Sequence, residues 1–329
     1  MSFFDGQILV TGANGHIGTN LVHELLAENE SVRILVRSGS NTDAFKDLPV
    51  EVVRGEVCSQ DDFMRATKGI RYVFHLASPT TITPDLPKVI KTGIRNLLGA
   101  CKKNNVEKVV YTSSAVTIGF SASKKRLMSE EDTDTFIPAS PYHVAKYNAE
   151  KELLSLSDHL PFSLVTVNPT TVIGRFDSKI TPSTMPAHLA RKAGLKVWFD
   201  SGITVAPVRN VAIGHIQAMK FGKRNNRYIL GGENLLIREY FSLINSLNHR
   251  KGPFVKLPNI LMYGAGAAFS MAQALGYNDV PFDYSRIRAL IGKYGFYSSI
   301  KATNELGYEL GSAESAISDY YTWLNQTER

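Results

Sequence analysis

Apolar positions along this chain follow two periods that take turns. Short β-branched and aliphatic runs alternate with longer stretches in which apolar residues recur three and four apart. Gln7 to Val10, Val32 to Val36, Val50 to Val53, Tyr72 to Leu76, Val109 to Thr112 and Phe162 to Val167 read as strands. Thr19 to Glu28, Asp61 to Thr67, Leu86 to Asn104 and Tyr142 to Leu156 read as the helices between them. In the third helix Val89, Ile90, Ile94, Leu97, Leu98 and Cys101 form one apolar stripe. Strands this apolar belong to the interior of a parallel sheet covered on both faces, so the alternation predicts an α/β fold with a doubly wound parallel sheet. From Gly174 the pattern breaks into loops, with a helix near Ala187 to Ala193, another over Val208 to Met219, a short strand at Arg227 to Leu230, and mostly helix from there to Trp323.

The first strand runs into T-G-A-N-G-H-I-G, where Gly12, Gly15 and Gly18 punctuate the start of a helix. Gly12 permits the tight turn, Gly15 lets backbone N–H groups approach a pyrophosphate, and Gly18 lets the helix pack on the strand. The product is an anion site at a helix N-terminus. The same glycines could serve a bare strand-to-helix turn, but the second strand closes a β-α-β unit and ends on Arg37, where a ribose-reading residue belongs. An acidic residue there would accept from the ribose hydroxyls of NAD. Arg37, with Ser38 beside it, instead suits the 2′-phosphate of NADP, because a guanidinium fork matches phosphate oxygens; NAD is the second choice. Ligands of such sheets lie beyond the carboxyl ends of the strands, which puts Gly12, Arg37, Glu56, Ala77 and either Ser113 or Ser114 on one edge.

The fifth strand ends in T-S-S-A, and further on comes P-Y-H-V-A-K at a helix start. Tyr142 and Lys146 are four apart and share a helix face. An ammonium beside a phenol favours phenolate and lowers its pKa towards working pH, which makes the tyrosine a usable general acid and base.

Composition narrows the partners. The chain has 329 residues, 43% hydrophobic and 20% charged, which is an ordinary globular balance with an ample core. Cys58 and Cys101 form no CxxC pair, which argues for a reducing compartment and against a disulfide framework or zinc site, and the histidines show no metal-binding spacing. Met1, Ser2, Phe3 and Phe4 precede the acidic Asp5, too short an apolar run for a signal peptide, so a cytosolic (cytoplasmic) protein is expected. The net charge of +7 is scattered in small groups with no basic stripe among aromatics, which excludes nucleic acid as the expected partner. Pro258 to Gly276 is uncharged but rich in Gly and Ala and carries Asn259, Ser270 and Gln273; it reads as a lobe helix or a contact surface, not a membrane span.

TGANGHIG, VFHLASPT, NLLGACKKNNVEKVVYTSS, SPYHVAKYNAEK, NPTTVIG and RYILGGENL, in this order, resemble the extended short-chain dehydrogenases/reductases across essentially the whole chain. The likeness is nearest to the dihydroflavonol-reductase-like branch, which includes hopanoid-associated proteins described as sugar epimerases. It implies a Rossmann domain over residues 1–173, with 203–221 returning to it, and a smaller, mostly helical substrate lobe over 174–329. It implies Ser114 as the hydroxyl that polarises a substrate carbonyl, with Ser113 the alternative, Tyr142 as proton donor, and Lys146 as the residue that tunes Tyr142 and binds the nicotinamide ribose. Gly12, Asn14, Gly15, His16, Ile17 and Gly18 match the diphosphate loop. Glu56 and Val57 take the adenine-contacting place, where relatives usually carry Asp. Leu76, Ala77 and Ser78 line the cofactor's middle, Thr112 is a further cofactor-binding residue, and Pro169 to Val172 lie by the carboxamide. Ile90 stands where relatives often have Asn. A pocket wall is expected from Pro79, Thr80, Val116, Ile180, Met185 and Phe199, and a homodimer through the two long helices.

The resemblance implies an NADPH-dependent carbonyl reductase, or the reverse alcohol dehydrogenase, on a small hydrophobic or aromatic ketone or aldehyde. A sugar-nucleotide epimerase or dehydratase is the alternative, but Ala115 and Val116 stand where dehydratases carry an acidic pair, and Thr171 where epimerases carry Asn. A dinucleotide-sensing regulatory protein is the non-enzymatic alternative, and the intact Ser114, Tyr142 and Lys146 speak against it.

Overall fold

Ile8 and Val10 face one side of the first strand and Leu9 the other, and all three are completely buried, so helices must cover both faces. The computed structural model, which describes residues 3–78, 86–132, 141–274 and 291–327, builds that arrangement. The first half runs β1 (Gln7–Thr11), α1 (His16–Ala27), β2 (Val32–Val36), β3 (Val50–Arg54), α2 (Gln60–Ala66), β4 (Ile70–His75), α3 (Leu86–Lys103), β5 (Lys108–Thr112), α4 (Pro141–Leu156) and β6 (Ser163–Pro169). The second half runs β7 (Thr171–Ile173), α5 (Met185–Ala193), β8 (Val197–Trp198), β9 (Gly202–Pro207), α6 (Val208–Phe221), β10 (Arg227–Leu230), β11 (Glu233–Leu236), α7 (Ile237–Leu247), β12 (Val255–Lys256), α8 (Asn259–Ala274), α9 (Ile300–Leu306) and α10 (Ala313–Thr327).

Seven strands pair in parallel in the order β10-β6-β5-β4-β1-β2-β3. The order reverses direction between β1 and β4, and the crevice above such a point is where ligands of doubly wound sheets bind. On one face α1, α6 and α9 bury Ile8, Val10, Leu21, Val110, Val165 and Ile216. On the other, α2, α3 and α4 bury Leu9, Phe63, Val73, Leu97, Val109 and Leu153. Alternate residues of each central strand thus enter separate cores.

The lobe has its own apolar centre, where Ile173 and Val205 meet Ala187 and Ala190 of α5, Tyr240 and Ile244 of α7, and Ile317 and Tyr320 of α10. Among the described residues its helices are joined by a three-stranded sheet, β11-β9-β7, and a short β12-β8 pair. Residues 259–274 form α8, which leaves Ile260 and Leu261 79% and 61% exposed, and among the described residues no helix is long and apolar enough to cross a membrane.

Two glycines fix how α1 meets the sheet. Gly12 has φ +71°, and a Cβ on it would lie 2.6 Å from the Ala77 amide nitrogen. A Cβ on Gly18 would lie 2.2 Å from the Gly12 carbonyl oxygen, which is backbone and cannot yield. Gly18→Ala should therefore push α1 off the β1 turn at a cost of about 1–3 kcal/mol of overpacking, read as a lower melting temperature; an unchanged melt would contradict the close approach.

Candidate active site

The site grows from the carboxyl ends of β1, β4 and β5. Gly15 is the last residue before α1, and its amide donates to the Gly12 carbonyl (3.0 Å), which closes the turn and leaves the first amides of α1 directed at the crevice. Leu76 and Ala77, just past β4, sit directly over Gly12. The Ala77 amide donates to the Thr11 hydroxyl (3.3 Å), which shares a 2.9 Å hydrogen bond with Nδ1 of buried His75. Burial, with the Lys146 charge as a lesser cause, pushes His75 down to about 3, so its ring is neutral.

His75 pairs across the sheet with Tyr111, the rings stacked at 5.8 Å, and Lys146 Nζ lies 5.7 Å from the Tyr111 ring centre on its other neighbour, α4. Lys146 Nζ donates to the Thr112 carbonyl (3.2 Å) and the residue is only 4% exposed. Desolvation pushes its pKa down to about 8 against an opposing pull from the Glu150 carboxylate. The Thr112 side chain turns to the other face. His215 Nδ1–H donates to the Val211 carbonyl (2.7 Å), so its Nε2 accepts from the Thr112 hydroxyl (2.9 Å).

Tyr142 is half-buried one turn before Lys146, and burial pushes its phenol up to about 12. This reverses the direction expected from the Tyr-Lys spacing. The ammonium is drawn to the Thr112 carbonyl, and loss of water around the phenol outweighs whatever charge remains nearby.

Past β5, Ser114 begins a single 3-10 turn, Ala115–Thr117, and its Oγ accepts from the Val116 amide (3.4 Å). Beneath it lies a group of residues that local sequence patterns did not reveal. Glu150 Oε2 accepts from Asn168 Nδ2 (2.7 Å) and Thr117 Oγ1 (2.9 Å), and Oε1 accepts from Arg227 Nη1 (3.0 Å). Thr117 Oγ1 (2.8 Å) and Asn168 Nδ2 (3.2 Å) also reach the Ser114 carbonyl. Glu150 was detectable in principle, since it lies four residues after Lys146 on the same helix face. Asn168 and Arg227 carry no such local mark.

Val57, Ala77, Ser78 and Lys146 are brought together, with His75 and Ile90, around a cavity of about 20 Å³. Ser78 Oγ and Ser113 Oγ are buried with no hydrogen-bond partner among the described residues. Two orphaned hydroxyls at adjacent strand ends, beside a glycine-punctuated turn at a helix N-terminus, fit a phosphate- and hydroxyl-rich dinucleotide. Asn14 and Ile17 are half-buried in that turn, while the His16 ring leaves it, with Nε2–H donating to the Gly174 carbonyl (3.2 Å). Arg37 and Glu56 are exposed at their strand ends, the Glu56 amide held by Asp62 Oδ2 (3.0 Å). Pro169 is buried at the end of β6, and Val172 is 6% exposed within the core.

None of Val116, Ile180, Met185 or Phe199 lines the Lys146 cavity. Val116 and Ile180 are half-buried, Met185 is 40% exposed at the start of α5, and Phe199 packs on Phe241 of α7 with ring centres 6.5 Å apart. Pro79 and Thr80 lie outside the described residues.

The chain is similar to known proteins in sequence and in fold. The model of the NAD dependent epimerase/dehydratase family matches residues 8–210. A Synechocystis protein named for dihydroflavonol 4-reductase is 30% identical over 325 residues, covering 96% of this chain and 93% of its own. Sterol demethylase protein B of Methylococcus capsulatus is 28% identical, covering 97% and 98%. Among solved structures, gox2253 superposes with a TM-score of 0.85 at 31% identity over 99% of both chains. A UDP-glucose 4-epimerase of Thermotoga maritima gives 0.78 at 18% identity over 98% and 100%, a likeness of fold.

The buried Lys146 has a signature in stability. Between pH 8 and 10 the unfolded chain keeps its lysine proton while the folded one releases it, so burial of this charge costs most below pH 8 and the cost fades as pH rises. Relative to a Lys146→Met variant, the parent without cofactor should therefore gain stability from pH 7.5 to 10, measured by denaturant unfolding at each pH; parallel curves would place the Lys146 pKa at its ordinary value.

Proposed function

We propose, on the premise that the chain belongs to the NAD dependent epimerase/dehydratase family of extended short-chain dehydrogenases/reductases, that it is an NADPH-dependent carbonyl reductase, or the reverse alcohol dehydrogenase, on a small hydrophobic or aromatic ketone or aldehyde. The observation that carries this reading is one face of α4. Tyr142, Lys146 and Glu150 lie along it, Lys146 Nζ at the Thr112 carbonyl and Glu150 beneath the Ser114 carbonyl through Thr117 and Asn168, with only Ala115 and Val116 following the serines. No side chain at 115 or 116 can move the second proton that a dehydration needs.

The Gly12 to Gly18 turn and the start of α1 would hold the pyrophosphate, Arg37 and Ser38 the 2′-phosphate, Ser78 the middle of the cofactor, and Lys146 the nicotinamide ribose. When bound, NADPH supplies the hydride. Ser114 and Tyr142 hydrogen-bond the substrate carbonyl oxygen and so place its carbon against the cofactor. A phenol pushed up to about 12 is fully protonated at neutral pH, the form a donor requires. Tyr142 gives that proton to the developing alkoxide, and the Lys146 ammonium stabilises the tyrosinate left behind. The relatives named for dihydroflavonol and sterol substrates support a hydrophobic substrate.

A carbonyl panel followed by NADPH absorbance should find a ketone or aldehyde reduced with stoichiometric loss of NADPH. Tyr142→Phe should lower that turnover about 10²- to 10⁴-fold while NADPH binding is kept. Interconversion of a sugar nucleotide without net redox change would place the protein among the epimerases, and a Tyr142→Phe variant as active as its parent would end the catalytic reading.

A further inference from the structure

Directly after β2 the chain folds back. The Ser40 amide donates to the Arg37 carbonyl (2.9 Å), closing a turn, Arg37-Ser38-Gly39-Ser40, in which Gly39 faces open space. Arg54 is the last residue of the neighbouring strand and stands opposite Val36 in the parallel register, so its side chain starts beside this turn. Its Nη1 donates to the carbonyl of Ser40 (2.9 Å) and reaches those of Ser38 (3.3 Å) and Arg37 (3.4 Å), while Nη2 donates to the Thr42 hydroxyl (3.2 Å). The backbone of Arg54 is itself tied down, its carbonyl accepting from Arg65 Nη2 (2.8 Å), and Arg65 is paired with Asp62 (2.7 Å). A single guanidinium thus gathers residues 37 to 42 onto an anchored strand end.

We infer that Arg54 is the positioning residue for cofactor choice: it sets the turn so that Arg37 and Ser38 meet the 2′-phosphate of NADP together. The inference rests on the reading of Arg37 given above. Three carbonyl oxygens drawn to one cation are three negative dipole ends turned from an incoming phosphate. Held in this way, the Arg37 guanidinium and Ser38 hydroxyl lose little freedom on binding, so more of their interaction appears as affinity. The task suits arginine because its planar fork offers several donors in fixed directions, whereas lysine offers one compact charge. Arg54 grips the ribose-reading position, Arg37, through its carbonyl alone and the turn beyond it at Ser38, Ser40 and Thr42, so its influence falls on the side chains that would meet the 2′-phosphate, which NADPH carries and NADH lacks.

The test is equilibrium binding of NADPH and of NADH to the whole chain, read by reduced-nicotinamide fluorescence, in the parent and in Arg37→Ala, Arg54→Ala and Arg54→Lys. The parent should favour NADPH and Arg37→Ala should erase that preference. Arg54→Ala should weaken NADPH at least tenfold and leave NADH within twofold, with a melting temperature near the parent's because the side chain is exposed. Arg54→Lys, which keeps the charge without the fork, should remain at least fivefold weaker for NADPH. Parental NADPH affinity in Arg54→Lys would reduce Arg54 to a point charge, and unchanged NADPH affinity in Arg54→Ala, or equal weakening of both cofactors, would remove it from cofactor choice. A parent that favours NADH fells the underlying reading along with the inference, whereas normal parent and Arg37→Ala results with silent Arg54 variants fell the inference alone.

Discussion

The buried carboxylate of Glu150 is the constraint on which the placement of Tyr142 and Lys146 against β5 depends. It is 2% exposed and meets three donors from three different parts of the chain: Arg227 at the edge strand β10, Asn168 on β6, and Thr117 in the turn after Ser114. Apolar packing alone would let α4 slide or rotate on β5 by fractions of an ångström at little cost. A charge held at fixed points does not, because displacing it strands either the carboxylate or the guanidinium away from water, and breaking a buried pair by loss of one partner costs about 3–5 kcal/mol. Since Tyr142 and Lys146 ride on the same helix, Glu150 fixes them relative to the Ser114 backbone.

Desolvation is the second theme, and it acts on three groups in one small region. The neutral His75, the easily discharged Lys146 and the strongly protonated Tyr142 all reflect loss of water near the ends of β4 and β5. A region this dry strengthens every hydrogen bond aimed at a charge that develops during reaction. It also explains why Ile90 is tolerated: at 8% exposure it lines the same cavity as His75 and Lys146 and helps keep water out.

Much of this was legible in the sequence because the signals were local. Strand and helix periods located every strand of the main sheet to within a few residues, and the glycine spacing marked the β1-α1 turn before Gly12 and Gly18 were seen in contact. What stayed hidden depends on residues distant in sequence. The Glu150-Arg227 pair joins residues 77 apart, and the Thr112-His215 bond joins residues 103 apart. In the lobe, β9 pairs with β7 and β11; β9 read as loop and β11 fell within the stretch read as mostly helix, because these short strands carry no clear alternation. The direction of the Tyr142 shift was missed for a related reason: spacing reports which charge is adjacent on a helix, but not how much solvent the fold removes or where Lys146 Nζ is drawn.

The turn that begins α1 does not serve the crevice alone. His16 donates to the Gly174 carbonyl, and Asn20 Nδ2, one helical turn on, bridges the His16 carbonyl (2.8 Å) and the Arg175 carbonyl (3.0 Å). Next in line His23 stacks on Phe176 with ring centres 4.8 Å apart. One edge of a single helix is therefore riveted to residues 174–176 along its N-terminal half. The glycine turn and the first residues past β7 share a seam there, and a swing of that segment wide enough to part the seam would drag on the β1-α1 turn itself.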